Sequence, residues 1–208
     1  MEKAGMAKID PRLPKGMRDF LPGEVLKREY VFGVVRDVFH TFGFEPIYTP
    51  TLEMLETLLG KSGEEADKLI FYAQHPGGKE ELALRYDLTV PLARYFAMHE
   101  HDLSMPFRRY HIAPVWRGDR PQKGRYREFV QCDVDIVGIE SMAADAEVIS
   151  LLATALDRLG FRDFTVHINN RKILTGIGIY AGVPDAQLGD LYRSIDKLDK
   201  IGLDGVRR

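Results

Sequence analysis

Five cationic side chains, Arg117, Arg120, Lys123, Arg125 and Arg127, fall within eleven positions, and Asp119 is the one acid among them. Planar guanidinium groups meet phosphate oxygens two at a time, so such a cluster beside an aromatic suggests a nucleotide. The aromatic is Phe129, at the head of a segment that reads as a strand. Alternate residues of a strand share a face. Phe129, Gln131, Asp133 and Asp135 therefore point one way, and Val130, Cys132, Val134 and Ile136 the other. One aromatic and two carboxylates without a lysine is an unusual composition for a solvated face. Upstream, Leu84-Arg85-Tyr86-Asp87-Leu88-Thr89-Val90 read as a strand puts a cation, an anion and a hydroxyl (Arg85, Asp87, Thr89) together. The plain alternatives are a solvated sheet face for the upstream segment and a solvated hairpin tip for the basic loop. The patterned strand next to the loop weighs against the second.

The elements that must hold these groups are legible from hydrophobic period and breakers. Residues 1–22 are punctuated by Pro11, Pro14, Gly16 and Pro22 and read as an extended arm. Val31, Val34, Val35, Val38, Phe39 and Phe42 recur at helical steps, which predicts a helix from Glu24 to Thr41 terminated at Gly43. A short strand follows at Phe44–Tyr48. Leu69–Gln74 and Leu82–Val90 read as two strands joined by the turn at residues 75–79. Pro91 suits the first turn of a helix reaching His99. Two longer strands are predicted at 107–117 and 127–137. After them comes a helix over Ala143–Leu159, with Ser141 as N-cap and Gly160 beyond its end. Phe164–Ile168 reads as one more short strand, and residues 171–208 are helical in pattern and richly charged. Hairpin-linked strands with helices between them predict an α+β domain, an antiparallel sheet flanked by helices.

Bulk properties narrow the field. With 45% hydrophobic and 29% charged residues the chain has the composition of an ordinary soluble globular protein. A net charge of -2 is not the signature of a general nucleic-acid binder, so any RNA contact must come from local basic patches. A single cysteine, Cys132, rules out an internal disulfide and points to a reducing compartment. No apolar run approaches the roughly 18 residues that span a bilayer, and the first residues lack the apolar core of a secretory signal; a cytoplasmic location and no membrane association are expected. His99-Glu100-His101 lacks metal-ligand spacing, and no metal site is expected. Cys132, alternating with Val130 and Val134, reads as a buried structural thiol. Gly77-Gly78 reads as a turn rather than a phosphate loop.

Arg117-Gly118-Asp119, a basic loop, and then Arg127-Glu128-Phe129 resemble motif 2 of the class II aminoacyl-tRNA synthetases. The run from Gly43-Phe44 to Thr49-Pro50, behind a long helix, resembles motif 1. Leu84–Thr89, Arg120–Arg127 and the early Pro14-Lys15-Gly16-Met17-Arg18-Asp19-Phe20 are similar to the histidyl-tRNA synthetases in particular. The likeness covers nearly all of residues 10–208. It implies part of the class II catalytic fold, with motifs 1 and 2 in residues 1–170 and the start of a helical insertion at 171–208. Motif 3, the histidine-specific arginine and tyrosine segment and the anticodon-binding domain are expected beyond the equivalent of residue 208.

The resemblance assigns roles residue by residue. Arg117 is the expected catalytic group, holding the ATP α-phosphate; Asp119 would accept from the adenine amino group, Phe129 would stack on adenine, and Arg125 would approach the outer phosphates or the tRNA acceptor end. Asp87 and Thr89 would bind the histidine α-amino group, and Gln131 and Asp135 the amino acid, with Asp135 towards the imidazole. Asp119 stands where the family usually has glutamate. Positions 87 and 135 are aspartate where many bacterial relatives have glutamate. The implied partners are ATP with Mg2+, L-histidine, histidine tRNA and a second copy of the chain joined through motif 1. The rival resemblance is to the synthetase-like regulatory subunit of ATP phosphoribosyltransferase, which generally has a degraded motif 2 loop; the intact Pro121-Gln122-Lys123-Gly124-Arg125 favours the synthetase.

Overall fold

The computed structural model describes residues 10–60 and 68–197, together with Gly202, Asp204 and Gly205. They fall into two compact units that divide after Arg162.

The first unit opens with helix α1, Pro22–Thr41. Proline at its start removes one N–H that would lack a partner anyway, and the Glu24 carboxylate accepts from the Leu21 N–H at 3.0 Å. Gly43, at φ +73°, ends it. Strands β1 (Glu45–Pro46) and β2 (Leu52–Met54), helix α2 (Leu55–Leu59), strands β3 (Phe71–Ala73) and β4 (Leu82–Leu84), and helix α3 (Thr89–His99) follow. Strands β5 (Phe107–Trp116) and β6 (Glu128–Val137) are the long pair, and helix α4 (Met142–Arg158) closes the unit. As predicted, Ser141 caps α4, its hydroxyl accepting from the Ala143 N–H at 3.2 Å.

Two three-stranded sheets result, with orders β1-β5-β6 and β2-β4-β3. β5 and β6 are antiparallel in continuous register from Phe107↔Val137 to Trp116↔Glu128, whereas β1 joins β5 in parallel. One face of the long pair is covered by α1 and α4, where Val35, Val38, Phe39, Tyr110, Leu151 and Ala155 are buried against Ile112, Val134 and Ile136. Burying a side chain such as Val38 or Phe39 stabilises the fold by about 1.5–3 kcal/mol. On the other face Leu88, Ala113 and Val115 form a smaller cluster against Phe129. Bidentate pairing of Arg94 with the buried Glu53 (2.7 and 2.8 Å) ties α3 to β2.

Three expectations are corrected. The strand expected over Leu82–Val90 stops at Leu84. The Asp87 carboxylate accepts from the Val90 N–H at 3.1 Å, a capping contact that turns the chain into α3 two residues before Pro91. Arg85, Asp87 and Thr89 consequently do not share a strand face. Arg85 is buried instead, donating Nε to the Pro114 carbonyl and Nη1 to the Thr49 and Pro50 carbonyls. Second, Phe164–Ile168 forms no strand, and no strand among the described residues pairs with it. Third, Cys132 is exposed. The helical cover reaches Ile112, Val134 and Ile136 and leaves Cys132 open.

The second unit contains helix α5 (Arg171–Tyr180), a 3-10 turn (Asp185–Gln187) and helix α6 (Leu188–Asp196). Asn170 caps α5 through the Lys172 N–H at 2.8 Å. Any side chain at Gly178 would meet Leu188 Cδ2 at 2.3 Å, so glycine permits the close approach of Leu188 to α5.

Candidate active site

The register of β5 and β6 decides which side chains meet. Arg109 lies opposite Asp135, His111 opposite Asp133, Ala113 opposite Gln131 and Val115 opposite Phe129. These eight residues make the face turned away from α1 and α4, so Phe129, Gln131 and Asp135 are on the side that strand parity predicted. Arg109 is fully buried, and its Nη2 reaches both Asp133 (2.7 Å) and Asp135. The Gln131 side-chain carbonyl is buried with no hydrogen-bond partner among the described residues. That leaves an acceptor free for an incoming donor.

Arg117 follows the end of β5. Its backbone N–H donates to the Arg127 carbonyl at 2.8 Å and its Nε to the Tyr86 carbonyl at 3.0 Å, which fixes the guanidinium 5.1 Å from the Phe129 ring centroid. Phe129 in turn rests on Leu88, Ala113 and Val115. The basic loop closes on itself. Arg125 pairs with Asp119 at 3.1 Å, and Arg127 donates Nε to the Asp119 carbonyl and its backbone N–H to the Gly16 carbonyl. A Cβ at Gly16 would come within 2.8 Å of Pro121, so this glycine, at φ +86°, lets the N-terminal arm lie on the loop. Arg117, Asp119, Arg125 and Phe129 line one open cleft of about 750 Å³ with Arg18, Lys123 and Tyr126.

Of the second group of expected residues, Asp87 follows Tyr86, whose carbonyl holds Arg117. Asp87 is electrostatically coupled to both Arg117 and Asp133. Thr89 is the first residue of α3, so strand alternation does not place it. Burial raises the Asp87 carboxyl above its usual value against the pull of its backbone hydrogen bonds and Arg117. Asp135 is pushed up to about 6, chiefly by burial, with Arg109 opposing and Asp133 reinforcing the shift. His111 is held down at about 4 by burial and then by the guanidiniums of Arg85 and Arg109, so it is neutral at physiological pH.

Sequence reasoning gave no role to Arg109, His111 or Arg18. The first two were within reach, since alternation along Phe107–Trp116 sets Arg109 and His111 on one face with Ala113 and Val115. Arg18 was not, because its guanidinium stacks 3.3 Å above the Tyr126 ring across more than a hundred residues of sequence. Among the described residues no group of three His, Cys, Asp or Glu side chains is placed to hold a metal ion.

Comparison with known proteins shows the family. The family model described as histidyl-tRNA synthetase matches residues 16–208. The histidine–tRNA ligase of Bacteroides fragilis is 50% identical over 219 residues, an alignment covering 95% of this chain and 48% of the relative. The chain thus spans about half the length of the curated relatives it matches. The crystal structure of histidyl-tRNA synthetase from Nostoc sp. PCC 7120 superposes with a TM-score of 0.85 at 36% identity, covering 96% of this chain and 44% of that one. A structure named as an ATP phosphoribosyltransferase regulatory subunit/histidyl-tRNA synthetase, from Bacillus halodurans, follows with a TM-score of 0.64 at 33% identity, covering 73% and 39%. With the family model matching almost the whole chain and the same fold in a solved relative, the chain belongs to the histidyl-tRNA synthetase family.

Proposed function

We propose that the natural protein carrying this chain activates L-histidine with ATP and transfers the histidyl group to histidine tRNA. The observation that carries this reading is the placement of Arg117 beside Phe129 at the edge of a sheet face bearing Gln131 and Asp135. In adenylation an oxygen of the histidine carboxylate bonds to the α-phosphorus, and the bond from that phosphorus to the bridging oxygen of pyrophosphate breaks. The nucleophile arrives ionised, so the protein supplies position and charge in place of a general base. Arg117 neutralises charge developing on the α-phosphate. Phe129 stacks on adenine, and Asp119 accepts from its amino group. Arg125, paired with Asp119 at 3.1 Å, swings to the outer phosphates or to the tRNA acceptor end. Asp87 and Thr89 hold the α-amino group; Gln131 contacts the amino acid and Asp135 the imidazole.

Mg2+ is the metal this chemistry brings. The one carboxylate lining the cleft, Asp119, is already paired with Arg125, so the described residues do not fit as a ligand set for it. The ion would arrive on the polyphosphate as part of the substrate. Residues 1–170 act as catalytic core and 171–208 as the start of a helical insertion. Helix α1 and its cap leave Leu21, Leu26 and Tyr30 exposed (71, 71 and 67%), a surface suited to a second copy through motif 1. No helix of the described residues is long and apolar enough to cross a membrane. The family likeness is what supports a cytoplasmic location. Charging of histidine tRNA with labelled histidine by the natural protein tests the proposal; labelling with no amino acid, or with another one, refutes it.

A further inference from the structure

Arg109 is the most deeply buried charged side chain among the described residues, with 0% of its surface exposed. It stands opposite Asp135 in the β5–β6 register, and its Nη2 joins Asp133 (2.7 Å) to Asp135. Two carboxylates two residues apart on one strand face repel each other, and a guanidinium between them offsets part of that repulsion. Arg109 and Asp133 are the charged groups facing Asp135. His111, the next residue on this face of β5, is neutral and adds no second positive charge. The ion pair with Arg109 is made through Oδ2 of Asp135, a buried oxygen with no hydrogen-bond partner among the described residues.

We infer that Arg109 is a positioning residue for side-chain specificity: it pins one oxygen of Asp135 so that the other accepts the ring N–H of the amino-acid substrate. The inference rests on the reading of Asp135 as the imidazole acceptor. Having no exposed surface, Arg109 works through Asp135 and not on the substrate. A site built to accept a hydrogen bond rejects analogues that lack the donor, provided the acceptor is fixed and ionised.

The test is amino-acid-dependent ATP–pyrophosphate exchange by the natural protein, with histidine and with β-thienylalanine, whose ring has no N–H. Arg109→Met is expected to raise the KM for histidine about 30-fold or more, as loss of one partner of a buried charge pair does. The KM for ATP should stay within about twofold, because only the amino-acid side of the site is affected. Discrimination against β-thienylalanine should shrink, and the acid limb of kcat/KM for histidine should move to higher pH than in the wild type. The substrate's own titration is common to both proteins and cancels. Arg109→Lys should recover part of the KM. Equal changes in both KM values with an unmoved acid limb would mean a merely structural arginine. Because Arg109→Met removes a buried charge and can fail to fold, Asp133→Asn serves as the second variant. It frees Arg109 to pair with Asp135 alone, and the acid limb should move to lower pH. An unmoved limb, or one that moves up, overturns the inference. A wild-type protein with no histidine-dependent exchange would instead refute the underlying reading, and the inference with it.

Discussion

The guanidinium of Arg117 sits 5.1 Å from the centroid of the Phe129 ring, held there by donation of its Nε to the Tyr86 carbonyl. Under the proposed roles, a cation beside the ring that stacks on adenine would set the charge next to the phosphate that reacts. Arg117→Ala is therefore expected to lower kcat for histidine-dependent ATP–pyrophosphate exchange by about 10²–10³-fold, as loss of one fixed transition-state charge does. A loss under about threefold would mean that Arg117 does not face the α-phosphate.

Phe129→Ala acts on a different quantity. The proposed stacking on adenine would be present equally in the ground and transition states, so the KM for ATP should rise with kcat little changed. Steady-state kinetics with ATP varied at saturating histidine separates the two. Phe129 also packs on Leu88, Ala113 and Val115, so Phe129→Leu keeps much of that contact and should reproduce the KM effect.

Asp135 and His111 give the fold opposing pH dependences. Asp135, raised to about 6 in the folded chain, contributes stability that is present below its unfolded value and lost as pH rises through about 6. His111, lowered to about 4, contributes stability that is present above its unfolded value and lost as pH falls through about 4. Asp135→Asn removes the first effect and leaves the second. The variant should melt above the wild type at about pH 8, and the gap should close as pH falls towards about 4. Thermal unfolding followed by circular dichroism across that range checks it; a constant gap would contradict the burial of an ionisable Asp135.

Sedimentation equilibrium tests the surface of α1. A closed two-fold contact stops at two chains, whereas an exposed apolar patch without symmetry builds a ladder of larger species. A dimer is expected for this chain, and Leu26→Glu, at a position 71% exposed, should weaken it without lowering the melting temperature. A monomer across the micromolar range would show that motif 1 is not sufficient.

Much of the scaffold was legible because it depends on short-range signals. The repeat of Val35, Val38 and Phe39 placed α1, and the alternation after Phe129 placed the polar face of β6 before any register was known. What failed were residues whose environment is set by distant partners. Arg85 looked like part of a polar strand face but is buried under carbonyls of Thr49, Pro50 and Pro114, 29 to 36 residues away. Asp87 carried a capping signal that local alternation concealed. Cys132 has the alternation of a buried residue, yet helical cover ends before it, and cover is a property of packing that strand period does not encode.

The central claim is that this sheet face and its basic loop activate histidine with ATP. The most direct measurement is ATP–pyrophosphate exchange by the natural protein with each of the twenty amino acids in turn. Exchange stimulated by histidine alone, and abolished in Asp135→Ala, is the predicted result. Exchange stimulated by another amino acid, or by none, would contradict the account.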